Sequence, residues 1–278
     1  MVNNIISVPM YEKDASNHIK PNLLFHRTSD RVHSRCIEYP FAASCIGDAN
    51  LILDVGSAKA NKTWMSWLDS LDIEVHCTDY DTFDSEYEKV KCFQSDIRCM
   101  DIKDNTYDKV IAVSVLEHVG LANPQVYSTI KPEVNDDGDL QAFKELVRIL
   151  KPGGEIIMTV PFGVQDGLIL GNQARNYTAT TIHKFSSLAD PLVMDYYEYQ
   201  HSLYGKLYTD NLCLLSKISS IFNYDNIIGK DNQVENLSGI IGPVVWRFVS
   251  MNLARARQLK HVDGVLCSVW RKSLMSNS

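Results

Sequence analysis

Positive charge is scarce in this chain: 27 Lys+Arg stand against 34 Asp+Glu in 278 residues, a formal net charge of -7. A general nucleic-acid binder needs a basic face to neutralise phosphates, so no nucleic-acid partner is expected and a small-molecule partner fits better. Cysteine is sparse and shows no pairing pattern. The seven cysteines (36, 45, 77, 92, 99, 213, 267) are odd in number and form no C-x-x-C pair. That argues against a disulfide framework or a zinc ribbon, and for free thiols in a reducing compartment. Long apolar runs are missing as well. Leu237 to Val249 is interrupted by glycine, Pro243 and Arg247 and is too short to span a bilayer. The N-terminal MVNNIISVPMYEKD has no basic stretch leading into a sustained apolar run, so no signal peptide is expected and the localisation reads as cytoplasmic. No internal repeat or low-complexity tract occurs, which removes repeat architectures.

What is present, 45% hydrophobic and 22% charged residues, is the balance of an ordinary globular protein with room for one large domain. The charge is unevenly spread. Asp69 to Asp108 holds twelve Asp+Glu and four Lys+Arg, whereas Val244 to Ser278 holds six Lys+Arg and one Asp. The acidic window reads either as solvated surface or as a cleft for a ligand carrying hydroxyls or positive charge.

LILDV (51–55), EVHCTD (74–79), VKCFQ (90–94), YDKVIAVS (107–114) and EIIMTV (155–160) are short apolar runs without clean alternation, as expected of parallel strands buried on both faces. Helix patterns lie between them. Trp64, Trp67, Leu68 and Leu71 make one apolar stripe, and Leu140, Phe143, Val147 and Leu150 make another. Lys151-Pro152-Gly153-Gly154 is expected to stop the second helix and turn the chain into the next strand. Repeated strand and helix imply right-handed crossovers and a doubly wound sheet. VMDYYEYQ (193–200) and VLCSVW (265–270) read as two further strands. Between them, Asp210 to Phe222 and Val244 to Leu259 read as helices of a structured insertion.

The first strand ends in LILDVGSAKANKTW. An acidic Asp54, Gly56 two residues later, then Ser57, Ala58 and Ala60 before a helix, is the layout of a nucleotide-binding turn. Gly56 lets backbone approach a ligand, and the following helix offers N–H groups to an anion. The dinucleotide fingerprint G-x-G-x-x-G fails, because Ala58 and Asn61 stand where glycines are required.

The ordered set resembles class I S-adenosylmethionine (SAM)-dependent methyltransferases. Asp54-Val55-Gly56 resembles their first motif. Asp79, closing the second strand with Tyr80 after it, resembles the acidic residue that holds the ribose diol. Ser95-Asp96-Ile97 resembles the motif whose Asp accepts from the adenine amino group while the next residue packs on the ring. Tyr107-Asp108 through Ser114-Val115-Leu116-Glu117-His118-Val119 resembles the fourth motif, and Leu150-Lys151-Pro152-Gly153-Gly154 the turn before strand five. The chain departs from the family at Ala58 and Ala60, where glycine is usual, so the turn must use ordinary backbone geometry there. Arg35-Cys36-Ile37-Glu38-Tyr39-Pro40, Asp136-Asp137-Gly138-Asp139, Thr159-Val160-Pro161-Phe162-Gly163 and Arg175-Asn176-Tyr177 resemble a bacterial branch found among surface-glycan and secondary-metabolite genes.

The resemblance implies a Rossmann-like α/β fold: a seven-stranded sheet of order 3-2-1-4-5-7-6, strand 7 antiparallel, with a helical insertion between the last two strands. The expected organisation is a single domain over 1–278, with an N-terminal helical lead-in (1–48), a SAM-binding core (49–200), a helical insertion or cap (201–260), and the last strand and tail (261–278). The implied cofactor is SAM, held by Asp54, Gly56, Ser57, Ala58, Asp79, Tyr80, Asp96, Ile97, Ser114, Val115 and Glu117. His118 is the candidate general base, since imidazole is matched to neutral pH. Arg175, Tyr177 and His183 are candidate acceptor ligands. No metal site is predicted, although the Asp136-Asp137-Gly138-Asp139 loop offers oxygens. The expected activity is methyl transfer to a small hydroxylated acceptor such as a sugar or glycan. The alternatives are N-methylation of a natural product, or a catalytically silent SAM-fold subunit. The insertion is expected to cover the acceptor site or to make a homodimer contact.

Overall fold

The computed structural model describes residues 12–13, 19–20, 34–84, 86–122, 134–163, 166–169, 172–199, 246–249 and 264–274. After helix α1 (Arg35–Ser44), the sheet begins with β1 (Leu51–Val55), followed by α2 (Lys62–Asp69), β2 (Glu74–Asp79), β3 (Lys91–Gln94) and β4 (Tyr107–Val113). Helix α3 (Gly138–Ile149), β5 (Leu150–Phe162), β6 (Asp190–Tyr199), β7 (Trp246–Val249) and β8 (Gly264–Arg271) complete it. The order across the sheet is β7-β6-β8-β5-β4-β1-β2-β3. β1 to β5 run parallel, and β8 lies antiparallel between β5 and β6. This is the expected 3-2-1-4-5-7-6 order, with β8 as the seventh expected strand and one added edge strand, β7.

The apolar runs are buried on both faces as their lack of alternation requires. On one face Ile37, Phe41, Trp64, Leu68, Val75, Ile111 and Ile157 pack α1 and α2 against the sheet. Leu53, Val110, Phe143, Leu146, Ile156, Phe185 and Trp270 fill the other beneath α3. Trp64 and Trp67 are thus core residues. Asn61 caps α2, its side chain accepting from Thr63 N at 3.2 Å.

Two local expectations are corrected. Lys151-Pro152-Gly153-Gly154 is a bulge inside β5 rather than a turn before it: Leu150 already pairs with Tyr107, and pairing resumes at Glu155 opposite Lys109. Gly153, at φ 78°, supplies the left-handed residue that lets the extra chain loop out. Within the Val244 to Leu259 segment, Trp246–Val249 is a strand paired antiparallel with β6. Its aromatic and β-branched residues favour an edge strand over the helix read from apolar spacing. The Asp210 to Phe222 segment lies outside the described residues. No helix among the described residues is long and apolar enough to cross a membrane.

Candidate active site

The carboxyl ends of β1, β2, β3 and β4 open onto one cleft enclosing about 1080 Å³, its mouth included. This is where open parallel sheets bind ligands. Of the residues expected to hold a cofactor, Asp54, Gly56, Asp79 and Tyr80 line it from β1 and β2. Asp96 and Ile97 line it from the end of β3, and Ser114 and Val115 from the end of β4, with His118 beside them. Ser57, Ala58 and Glu117 are not among the residues that line it.

The turn after β1 depends on a single glycine. Gly56 has φ 78°, and a Cβ there would lie 2.4 Å from Val115 Cγ2. Among the described residues, the non-glycine positions with positive φ are Asn105, Ser114 and Asn172, so Ala58 and Ala60 keep ordinary backbone geometry. Five N–H groups of the turn are engaged within the chain. Those of Gly56 and Ser57 donate to the Thr78 carbonyl at 2.8 and 3.4 Å, and those of Ala60 and Asn61 to Ser57 O and Tyr39 Oη. Ala58 N donates to Asp79 Oδ2 at 2.9 Å.

Asp54 is buried, accepting at Oδ2 from Ser57 Oγ at 2.7 Å and Trp64 Nε1 at 3.1 Å. Burial outweighs both bonds and pushes its carboxyl up to about 7. It fixes the turn from below. Asp79 accepts from the N–H groups of Ala58 and Asp81, which aim its carboxylate along the cleft wall. A carboxylate so held can accept from two vicinal hydroxyls. Asp96 accepts a two-pronged bond from Arg98, whose Nη2 lies 2.7 Å from Oδ2. Burial would raise Asp96, but the Arg98 fork holds it below the ordinary carboxylate value. Its charge is thus largely matched within the chain, and Ile97 beside it offers an apolar face.

His118 Nδ1 lies 2.7 Å from the Gln173 carbonyl oxygen. A carbonyl only accepts, so Nδ1 carries the proton and the lone pair of the neutral ring sits on Nε2. Burial lowers the His118 pKa, outweighing that bond. Glu117 is buried beside it, Oε1 3.8 Å from His118 Nε2, while its Oε2 meets no donor. Burial, reinforced by the nearby Glu38 charge, pushes this carboxyl up to about 8.

The expected acceptor ligands do not join the cleft. Arg175 is buried and spends its guanidinium on backbone carbonyls: Nη1 donates to Val119 at 2.6 Å, and Nη2 to Asp136 at 2.9 Å and Asn135 at 3.2 Å. It staples the loop after β4 to the start of α3. Tyr177 is a core residue whose hydroxyl donates to Asp139 Oδ2 at 2.6 Å. Asp139 also pairs with Lys184, so the Asp136 to Asp139 loop uses its buried carboxylate for packing. His183 is exposed on a short 3₁₀ turn (Thr181–Ser187), near Ser186.

The residues missed were those of α1. Arg35 and Tyr39 line the cleft, and Glu38, fully buried, bonds to Ser34, Arg35, Ser114 and Thr159. Their presence in the Arg35 to Pro40 motif was the only signal.

Residues 53–158 match the sequence model of a family described as methyltransferase domain. No curated protein matches the chain. Similar solved structures include the 1,6-didemethyltoxoflavin-N1-methyltransferase of Burkholderia thailandensis with bound 1,6-didemethyltoxoflavin and S-adenosylhomocysteine (10% identity, 95% of this chain and 100% of that one, TM-score 0.49). They also include the (4+2)-cyclase SpnF (14% identity, 84% and 79%, TM-score 0.48). A third is phosphoethanolamine N-methyltransferase 2 of Haemonchus contortus in complex with SAM (14% identity, 81% and 49%, TM-score 0.41). The matched span runs from inside β1 into β5 and contains the four strand ends that build the cleft. The sequence match thus assigns a methyltransferase domain to residues 53–158.

Proposed function

We propose that the protein methylates a hydroxyl of a small acceptor such as a sugar or glycan, with His118 as general base. The observation that carries this reading is the 2.7 Å bond from His118 Nδ1 to the Gln173 carbonyl, which leaves the basic lone pair on Nε2 of a residue lining the cleft. An alcohol must lose its proton as it is methylated, whereas an amine with a free lone pair needs no base to attack.

The residues of the cleft fit the cofactor's chemistry. Asp79 suits a ribose diol, Ile97 a flat apolar ring, and Gly56 gives the backbone side of the wall no Cβ. Bound SAM supplies the methyl group on a sulfonium, a good leaving group, so the oxygen–carbon bond forms as the carbon–sulfur bond breaks. Positioning of the acceptor is then most of the task left to the chain. His118 Nε2 takes the hydroxyl proton. Glu117, neutral at pH 7 because of its burial, leaves His118 uncharged and ready to accept.

The sign of the pH dependence follows. His118 acts as the neutral ring, so turnover is lost as pH falls through its pKa, which burial sets below the ordinary 6.5. The test is a mass-spectrometric screen of methylated acceptors, followed by kinetics on His118→Ala. The expected loss in kcat is about 100-fold or more, with disappearance of the acid limb. Full turnover in that variant, or products methylated only on nitrogen, would contradict the reading.

A further inference from the structure

Cys77 of β2 and Cys92 of β3 are partners in the sheet. The two strands run parallel with Cys77 directly opposite Cys92, so both side chains leave the sheet on one face, the one covered by α1 and α2. Neighbouring strands lie roughly 4.8 Å apart, inside the Cα separation of about 4.4–6.8 Å that a disulfide spans. Both cysteines are free thiols. Their surroundings differ. Cys77 is fully buried, whereas Cys92 is half-buried on β3, the strand that ends the sheet order. The two thiols interact: the contact holds Cys92 below the ordinary thiol value and, together with burial, pushes Cys77 above it. The more accessible sulfur is thus the one that ionises first, and the thiolate is the reactive form.

We infer that Cys77 and Cys92 form a reversible disulfide when a hydroperoxide oxidises them, and that closing this bond weakens cofactor binding at the cleft. The Cys92 thiolate attacks one oxygen of hydrogen peroxide and breaks the O–O bond, leaving a sulfenic acid and water. The Cys77 sulfur then attacks the Cys92 sulfur; the S–S bond forms as the S–O bond breaks, and the hydroxyl departs as water with the Cys77 proton. Two electrons pass from the sulfurs to the peroxide, and a thiol reductant returns them. The bond acts on the cleft through β2. Cys77 stands two residues before Asp79, and the carbonyl of Thr78 between them accepts from the Gly56 and Ser57 N–H groups of the turn. The Ser57 hydroxyl, bonded to Asp54 at 2.7 Å, also acts on the Cys77 thiol and draws its pKa down. Turning the Cys77 sulfur toward Cys92 takes it from Ser57 and pulls on the strand end that carries Asp79.

The bond stands apart from the acceptor chemistry; its effect on the cleft rests on the cofactor reading. The test compares the full chain treated with hydrogen peroxide against the same protein kept in dithiothreitol. Peptide mass spectrometry is expected to find Cys77 and Cys92 joined, and dithiothreitol to separate them again. Calorimetry is expected to show S-adenosylhomocysteine bound about fivefold or more weakly by the oxidised protein. By linkage, saturating S-adenosylhomocysteine then raises the reduction potential of the disulfide, by about 20 mV for a fivefold difference. Cys92→Ser is expected to bind like reduced wild type and to lose the peroxide response, whereas Cys99→Ser, which removes an exposed thiol, keeps it. Oxidation of Cys92 to a sulfinic acid with Cys77 still free, or a bond to another cysteine, overturns the pairing. A bond between Cys77 and Cys92 with unchanged S-adenosylhomocysteine affinity overturns the effect on the cleft. Reduced wild type that bound no S-adenosylhomocysteine would overturn the cofactor reading and that effect with it, while the mass spectra still decide the pairing.

Discussion

At the scale of single residues, burial sets the chemistry. Glu117 holds its proton up to about pH 8 in the folded chain but ionises near 4.5 when unfolded. Between those values the native state binds the extra proton, so stability falls as pH rises across the window. Glu117→Gln removes the titration and is expected to raise the melting temperature, with a gain growing from pH 5 to pH 8 and reaching the order of 3 kcal/mol. Melting curves at a series of pH values check this; a gain independent of pH would refute it. Gly56→Ala must strain a left-handed position and meet Val115, a loss of about 1–3 kcal/mol from the backbone alone. Thermal melting should register it, together with loss of S-adenosylhomocysteine binding. Gly56 and Asp79 were legible in the sequence because each closes a short apolar strand run that the sequence itself marks. Glu38 was not: Ser114 and Thr159 lie 76 and 121 residues away, and no spacing rule reaches so far.

At the scale of elements, the strands were legible because parallel strands buried on both faces need unbroken apolar runs, and LILDV and KVIAV supply them. The bulge in β5 was not, since Pro152-Gly153-Gly154 suits a turn and a bulge equally until pairing to β4 resumes at Glu155. The loop between β4 and α3 shows the same limit. Arg175 looked like an acceptor ligand from its polarity, yet its work is to satisfy the carbonyls of Val119, Asn135 and Asp136. Gly120 and Gly138 meet where that loop closes, and a Cβ on Gly138 would lie 2.7 Å from Gly120 Cα. Arg175→Ala strands buried carbonyls and is expected to lower stability by about 2–4 kcal/mol, with no rescue by lysine, which lacks the fork. His183→Ala should leave melting and turnover unchanged. Chemical denaturation of the pair checks both; an unaffected Arg175→Ala would contradict the stapling role.

At the scale of the whole molecule, the scarcity of positive charge acquires a place. The acidic window from Asp69 to Asp108 spans β2, β3 and the start of β4, and only Asp79 and Asp96 of its carboxylates line the cleft. Others serve the frame, as when Asp108 accepts from the backbone N–H groups of Asn50 and Leu51 and pairs with Lys151. The cations that line the same cleft are Arg35, Lys59 and Arg98. The account stands or falls on cofactor binding at this cleft, and titration calorimetry of S-adenosylhomocysteine into wild type and Asp79→Ala tests that most directly. The predicted result is saturable binding to wild type and at least a roughly tenfold loss in the variant. No heat and no thermal shift with wild type, or equal affinity in Asp79→Ala, would contradict it.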